Sequence, residues 1–125
     1  MADAEDVQRI ALSLPETTEG DASFEVGEKG FAWFYREKVE GVKGRVVRPD
    51  VLAVRVSGAD EKEALLAADP AKFFTTPHYN GYPAVLVRLG AIDAEELREL
   101  LSDAWRTRAP RKLRAEFDAR SVAPD

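Results

Sequence analysis

The sequence predicts an α+β fold, a single compact domain over residues 1–125 in which N-terminal and C-terminal helices pack on an antiparallel β-sheet. Apolar residues recur with helical spacing near both ends of the chain and alternate with strand spacing in the runs between them. No repeat or low-complexity tract divides the chain. A chain of 125 residues also buries enough apolar surface to fold without a disulfide or a metal.

The first predicted helix begins at Asp3, which forms a capping pair with Asp6 three positions later. Its apolar residues share one face, and the helix ends at Pro15. The turn-forming residues 15–20, PETTEG, predict a loop.

Two strands follow, a short one over residues 23–26 and an aromatic one that begins at Phe31, joined by a hairpin connection over residues 27–30. Simple alternation places Phe31, Trp33 and Tyr35 on one side of the aromatic strand and the smaller Ala32 with Phe34 on the other. Both faces are therefore covered by other elements, or one of them is an aromatic binding surface.

Residues 36–50, REKVEGVKGRVVRPD, predict a loop that forms a basic hairpin, because Gly41 and Gly44 permit a tight reversal and cations concentrate around them. Cations on a projecting arm suit phosphate contacts. The alternative is a surface loop whose lysines discourage aggregation. A strand over residues 51–56 follows the hairpin.

Asp60 and Glu63 predict a second capping pair that opens a short helix. Asp69 and Pro70 predict a further helical turn that carries Phe73.

The run from Phe73 to Leu89, FFTTPHYNGYPAVLVRL, holds the single histidine, His78, and a turn at Asn80-Gly81. It continues into a buried strand over residues 84–89. We interpret His78 first as a turn residue that hydrogen-bonds a backbone carbonyl, and second as a group that acts on a ligand.

The longest predicted helix follows Asp93, which forms a third capping pair with Glu96, and it extends to Arg108. Pro110 ends it, and a final short helix docks through Leu113 and Phe117.

The central run, the helix that follows it with its AWRTRAPRKL ending, and the upstream strings LSLPETTEG and KGFAWF together resemble the MmcQ/YjbR family of small bacterial proteins. The resemblance covers nearly the whole chain and implies a YjbR/CyaY-like fold. Members of this family are commonly described as DNA-binding proteins, so the resemblance also implies DNA as a partner, bound through two wings. This chain departs from that pattern, because residues 27–30 are too short and too weakly charged to match the basic hairpin as a second wing.

Charge is segregated along the chain despite a net charge of −5. Residues 1–28 hold one basic and eight acidic residues, whereas residues 29–56 hold seven and three, and residues 104–125 hold six and three. If folding brings the two basic segments together, they form one phosphate-binding surface. The candidate DNA contacts are Lys38, Lys43, Arg45, Arg48, Arg106, Arg108, Arg111, Lys112 and Arg114.

The alternative function is a small-molecule or protein-interaction module built on an aromatic pocket near His78. The candidate pocket residues are Trp33, Tyr35, His78, Tyr79, Tyr82 and Arg88. No nucleophile motif, P-loop or dinucleotide fingerprint accompanies them, so we expect no catalytic residues and no enzyme activity.

The composition limits the kinds of site and the location that we expect for this protein. With no cysteine and one histidine, we expect no metal site and no cofactor. No apolar run approaches the roughly 18 residues of a membrane span, and the acidic start differs from a secretory signal, so we expect a cytoplasmic protein with no membrane partner. We expect a monomer or a weak homodimer.

Overall fold

The computed structural model describes residues 1–121 and confirms the predicted α+β class. In chain order its elements are α1 (Ala4–Ser13), β1 (Thr17–Glu19), β2 (Ser23–Val26), β3 (Lys29–Lys38), β4 (Arg45–Arg55), α2 (Ala59–Ala68), β5 (Phe73–Phe74), β6 (Ala84–Arg88), α3 (Ala94–Arg108) and α4 (Arg111–Ser121). Short 3-10 helices, Pro77–Tyr79 and Leu89–Ala91, precede and follow β6.

The six strands form one sheet in the order β1-β2-β3-β4-β6-β5, and every neighbouring pair is antiparallel, as predicted. Strand β6 lies between β4 and β5, so the run from Phe73 to Leu89 forms one end of the sheet. The sheet alternation sends Leu52, Val85 and Val87 to one face and Ala53 and Leu86 to the other.

The main core lies on the face that α1 and α3 cover. Val7 and Ile10 of α1 and Leu101 and Trp105 of α3 are completely buried there. The indole N–H of Trp105 donates a hydrogen bond to the carbonyl of Pro15 at 3.0 Å, which ties α3 to the end of α1.

Local helix signals were confirmed at two of the three predicted caps. The Asp3 carboxylate accepts from the Asp6 N–H at 2.9 Å, and the Asp6 carboxylate accepts in return from the Asp3 N–H. Asp93 accepts from the Glu96 N–H at 2.8 Å.

The predicted cap at Asp60 is wrong. Helix α2 begins at Ala59, two residues earlier than a cap at Asp60 implies, and its cap residue, Gly58, has no side chain that could accept a hydrogen bond. The Glu61 carboxylate instead accepts from the Ser57 N–H at 2.7 Å, so a different acidic residue provides a hydrogen-bond partner for the backbone just before the helix.

Two further boundaries differ from the prediction. Residues 17–19 of the predicted loop form β1, because backbone pairing with β2 at a sheet edge requires no apolar pattern. The predicted helical turn after Asp69 and Pro70 forms, because the Phe73 N–H donates to the Asp69 carbonyl at 2.9 Å. Phe73 then also begins β5 and pairs with Val87, a strand that the sequence did not predict.

The basic hairpin is more regular than predicted. Strands β3 and β4 pair from Lys38↔Arg45 inward, so the connecting loop spans only residues 39–44. The predicted loop over 36–50 and the predicted strand start at Val51 are therefore wrong in extent. Exposed polar strands lack the alternation by which a buried strand is recognised.

A bulge separates Phe31 from the other aromatic residues of β3. The β2–β3 register passes from Phe24↔Ala32 to Glu25↔Gly30, which leaves Phe31 unpaired. Phe31 joins the main core, whereas Trp33 and Tyr35 pack on the opposite face. The predicted grouping of these three aromatics is wrong for Phe31, because a bulge shifts the alternation by one residue.

Candidate functional site

The face of the sheet opposite the main core carries a second, smaller cluster of aromatic residues. Trp33 and Tyr35 project from β3, and the segment between β5 and β6 lays Tyr79 across them. Tyr79 is buried, whereas Trp33 and Tyr35 are half-buried and Tyr82 is exposed. This face therefore has an aromatic surface that the helices do not cover completely.

Tyr79 is the centre of this cluster. Its hydroxyl accepts a hydrogen bond from the indole N–H of Trp33 at 3.0 Å. Its ring centroid lies 6.2 Å from Tyr35, 6.1 Å from Tyr82 and 5.4 Å from His78. These tilted and edge-to-face arrangements are favourable for aromatic pairs.

The rings border an open cavity of about 430 Å³ lined by Trp33, His78, Tyr79 and Tyr82, which we call the aromatic cleft. A smaller cavity of about 150 Å³ shares Trp33, His78 and Tyr79 and is completed by Arg36 and Arg45. The aromatic cleft thus adjoins a cavity that is lined by two cationic groups.

A buried lysine holds the segment that forms the cleft. Lys62 of α2 is buried, and its ammonium donates to the carbonyls of Tyr79 at 2.5 Å and Tyr82 at 2.8 Å. Burial lowers the pKa of Lys62 below its usual value of 10.5, and no carboxylate in residues 1–121 forms an ion pair with it. Lys62 therefore positions two aromatic residues of the cleft at the cost of burying a charge.

The turn at Asn80-Gly81 completes this segment. The Tyr82 N–H donates to the Tyr79 carbonyl at 3.0 Å, and Gly81 adopts a φ of +79°, a conformation that favours glycine. Asn80 keeps a negative φ, so only Gly81 supplies the left-handed conformation.

His78 does not hold this turn. Its side chain is exposed and contacts the Tyr79 ring, but it forms no hydrogen bond with any residue between 1 and 121. Our first interpretation of His78, a hydrogen bond to a backbone carbonyl, is therefore wrong. Lys62 performs that role, and the imidazole is left at the mouth of the aromatic cleft.

Two further arginines contact aromatic residues of the second face. Arg55 donates to the Tyr82 hydroxyl at 3.1 Å, and its guanidinium lies 5.3 Å from the centre of that ring. Arg88, a candidate pocket residue, instead lies 4.0 Å from the ring centre of Phe74 and donates to the carbonyls of Pro70 and Ala71. Arg88 thus lies beside Phe74 of β5 and does not line the aromatic cleft.

The basic hairpin presents exposed cations at its tip. Lys38, Lys43 and Arg45 are exposed and form no ion pair with another described residue. Arg48 pairs with Glu37 across the hairpin, which raises the pKa of Arg48 and partly neutralises its charge. Three of the four predicted hairpin cations are thus available to a partner.

The basic C-terminal segment is largely engaged within the fold. Arg106 donates to the carboxylates of Asp103 and Asp118 at 2.8 Å each. Arg114 donates to the carbonyl of Arg106, and Arg108 is half-buried. The candidates of this segment that are exposed are Arg111 and Lys112.

The two basic segments lie at opposite ends of β3. A Cβ atom added at Gly27, just before β3, would lie 3.6 Å from Pro110 Cδ, so the C-terminal segment adjoins the start of the strand. The hairpin tip follows the other end, about 30 Å away at the usual rise per residue. The two basic segments therefore do not come together, and they do not form a single phosphate-binding surface.

Comparison with known proteins assigns the chain to a family. The family model YjbR matches residues 12–107. The chain belongs to the YjbR family. It is 41% identical over 128 residues to the uncharacterized protein Rv2570 of Mycobacterium tuberculosis H37Rv and to the uncharacterized protein Mb2600 of Mycobacterium bovis, covering 97% of this chain and 99% of each relative.

A solved structure has the same fold as this YjbR-family protein. The crystal structure of Deinococcus radiodurans protein DR2400, a DUF419 domain, matches with a TM-score of 0.58 over 94% of this chain and 89% of that one. The two sequences are 21% identical, so the likeness concerns the fold alone.

Within residues 1–121 of this YjbR-family protein, no helix is both long and apolar enough to cross a membrane. The same residues contain no group of three or more histidine, aspartate or glutamate side chains that could hold a metal ion.

Sequence reasoning found the ring residues of the cleft but missed its supporting cations. Lys62 lies in a helix, ADEKEALLAA, with no clear apolar stripe, and its only signal is that it is the single cation among acidic neighbours. Arg55 had a clearer signal, because strand alternation places it with Ala53 on the second face.

Proposed function

We propose that this YjbR-family protein binds a small planar ligand in the aromatic cleft. The observation that carries the proposal is the open cavity of about 430 Å³ bounded by Trp33, His78, Tyr79 and Tyr82. Ligand sites in proteins are typically concave and apolar, with a few polar groups that fix orientation. Here the polar group at the mouth is the imidazole of His78, which no described residue engages by a hydrogen bond.

The rigidity of the cleft supports the same proposal. The bond from Trp33 to Tyr79 joins the floor to the overlying segment, and Lys62 fixes the carbonyls on both sides of the turn. A site whose rings are already held in place loses less conformational freedom on binding. We propose binding without catalysis, because no described side chain is hydrogen-bonded to His78 to form a catalytic pair.

The test uses the two tryptophan indole N–H signals in NMR spectra of the ¹⁵N-labelled protein. Trp33 lies in the cleft and Trp105 lies buried in the main core, so the second signal is an internal control. Planar probes, adenosine and 2-naphthamide with their anionic counterparts adenosine 5′-monophosphate and 2-naphthoate, are titrated in turn. We expect saturable shifts of Trp33 with Trp105 unmoved; a Trp33 signal that responds to none of the four probes rejects the proposal.

DNA binding through the basic hairpin is a second candidate function. It is favoured by the exposed positions of Lys38, Lys43 and Arg45 without ion pairs in the described part of the chain. Three phosphate contacts give binding that weakens as salt increases. The two-wing mode and the C-terminal contacts receive less support, since Arg106 is paired and that segment lies at the other end of β3.

The second candidate is tested by fluorescence anisotropy with a labelled duplex at low and moderate salt. A variant with alanine at Lys38, Lys43, Arg45 and Arg48 is compared with a control that has alanine at Arg111 and Lys112. Salt-sensitive binding that only the hairpin variant loses supports the candidate. Absence of binding at low salt, or equal losses in both variants, rejects it.

The cytoplasmic location and the monomeric or weakly dimeric state stay predictions.

A further inference from the structure

The aromatic cleft is asymmetric in charge. Its end beside Tyr82 is formed by rings, whereas the smaller cavity at its other end is completed by Arg36 and Arg45. Both cavities share Trp33, His78 and Tyr79, so a single ligand that lies along these rings reaches the arginines.

The two arginines differ in what already holds them. Arg36 donates to the carbonyl and to the carboxylate of Asp21, each at 3.1 Å. Arg45 donates to the Arg36 carbonyl at 3.4 Å and forms no ion pair with any described residue. Arg45 therefore brings an uncompensated positive charge to the smaller cavity.

An uncompensated guanidinium beside an aromatic floor selects for a particular kind of ligand. A guanidinium presents several N–H donors in a plane, which matches the oxygens of a carboxylate or a phosphate. The rings of Trp33 and Tyr82 meet edge to face, 6.3 Å between centroids, and offer their faces and edges to a planar group.

We propose that the ligand of the aromatic cleft is a planar ring compound that carries one anionic group, a carboxylate or a phosphate. Its ring lies among Trp33, His78 and Tyr82, and its anionic group lies at Arg45. Arg36 supports that end of the cleft through its own carbonyl, which orients Arg45. This inference rests on the proposed function and adds the chemical class of the ligand.

The experiment measures affinity for two matched pairs of probes, adenosine with adenosine 5′-monophosphate and 2-naphthamide with 2-naphthoate. Within each pair the ring is the same and only the anionic group differs. The Trp33 indole signal reports binding, and the Trp105 signal is the reference. A charge-assisted hydrogen bond predicts that the anionic member binds about tenfold or more tightly.

Arg45→Met is expected to reduce this preference to about twofold or less while the neutral probe still binds, since the change leaves the rings in place. Lys43→Met is the matched control, because Lys43 is an exposed cation of the same hairpin and does not line the cleft. It should keep the preference. Circular dichroism of both variants confirms that the fold is unchanged.

The possible failures are distinguishable. Equal affinity for both members of each pair, or a preference that survives Arg45→Met, overturns the anionic class and leaves the proposed function standing. If Lys43→Met loses the preference for the anionic probe as fully as Arg45→Met does, the anionic class is also overturned, because the preference would then arise from the general charge of the hairpin. A Trp33 signal that responds to no probe rejects the proposed function and this inference together.

Discussion

Trp33 donates its indole N–H to the hydroxyl of Tyr79 at 3.0 Å, although 46 residues separate them in the chain. Trp33 belongs to a central strand, and Tyr79 belongs to the 3-10 helix that follows β5. The bond therefore fixes the segment between β5 and β6 against the sheet, and with it both the floor and the wall of the aromatic cleft.

Replacing Tyr79 by Phe removes the acceptor and leaves the indole N–H of Trp33 half-buried and unpaired. We expect the free energy of unfolding to fall by about 1 kcal/mol, measured by urea denaturation. Tyr82→Phe is the control, because its hydroxyl accepts from Arg55 near the exposed surface and should cost about half as much or less. Equal costs for the two variants contradict the role given to the buried bond.

Lys62→Met tests whether the buried ammonium holds the cleft. The variant leaves the carbonyls of Tyr79 and Tyr82 without their cationic donor, and it also removes the cost of burying a charge. We expect a net loss of about 1–2 kcal/mol in urea unfolding at pH 7. Lys112→Met, an exposed lysine of α4, should change stability by less than about 0.5 kcal/mol. A Lys62→Met protein as stable as the wild type refutes the assignment.

The pH dependence of stability gives a separate test of Lys62. Burial lowers the pKa of Lys62 in the folded protein below 10.5, so the unfolded chain binds more protons between the folded pKa and 10.5. The contribution of Lys62 to the free energy of unfolding therefore rises with pH between its folded pKa and 10.5. We expect the difference in unfolding free energy between the wild type and Lys62→Met to grow from pH 7 toward pH 10. A difference that stays constant or shrinks contradicts the lowered pKa.

Helix capping separates local from tertiary effects. Asp3 caps α1 with a full capping box, so Asp3→Ala should cost about 1 kcal/mol in thermal or urea unfolding. Asp60→Ala is the matched comparison, because the sequence predicts a cap there but the structure has none. It should change stability by less than about 0.5 kcal/mol. If Asp60→Ala costs as much as Asp3→Ala, the start of α2 differs from the one described.

The order and type of the large elements could be predicted from the sequence because their signals are local. Helix α3 has a cap at Asp93, a regular apolar stripe and a stop at Pro110, all within a few residues of one another. Strand β6, which begins at Ala84, is recognised by its continuous apolar run, because its residues are buried on both faces of the sheet.

The candidate site was only partly predictable, because its geometry depends on pairings between distant segments. A bulge opposite β2 moves Phe31 out of the aromatic row, and no feature of the β3 sequence predicts this bulge. Lys62 is another such case, since a lysine in a polar helix is ordinarily exposed and only the position of α2 against residues 79–82 buries it.

The sequence by itself determined the α+β class, the helices at both ends, the aromatic residues near His78 and the two basic segments. Caps, periodicity and composition act over three or four neighbours and are therefore readable in the chain. Only the tertiary structure decided that the basic segments lie at opposite ends of β3 and that Arg45 lines the smaller cavity beside the aromatic cleft. Strand register and helix docking set those distances, and both arise from contacts between residues far apart in sequence.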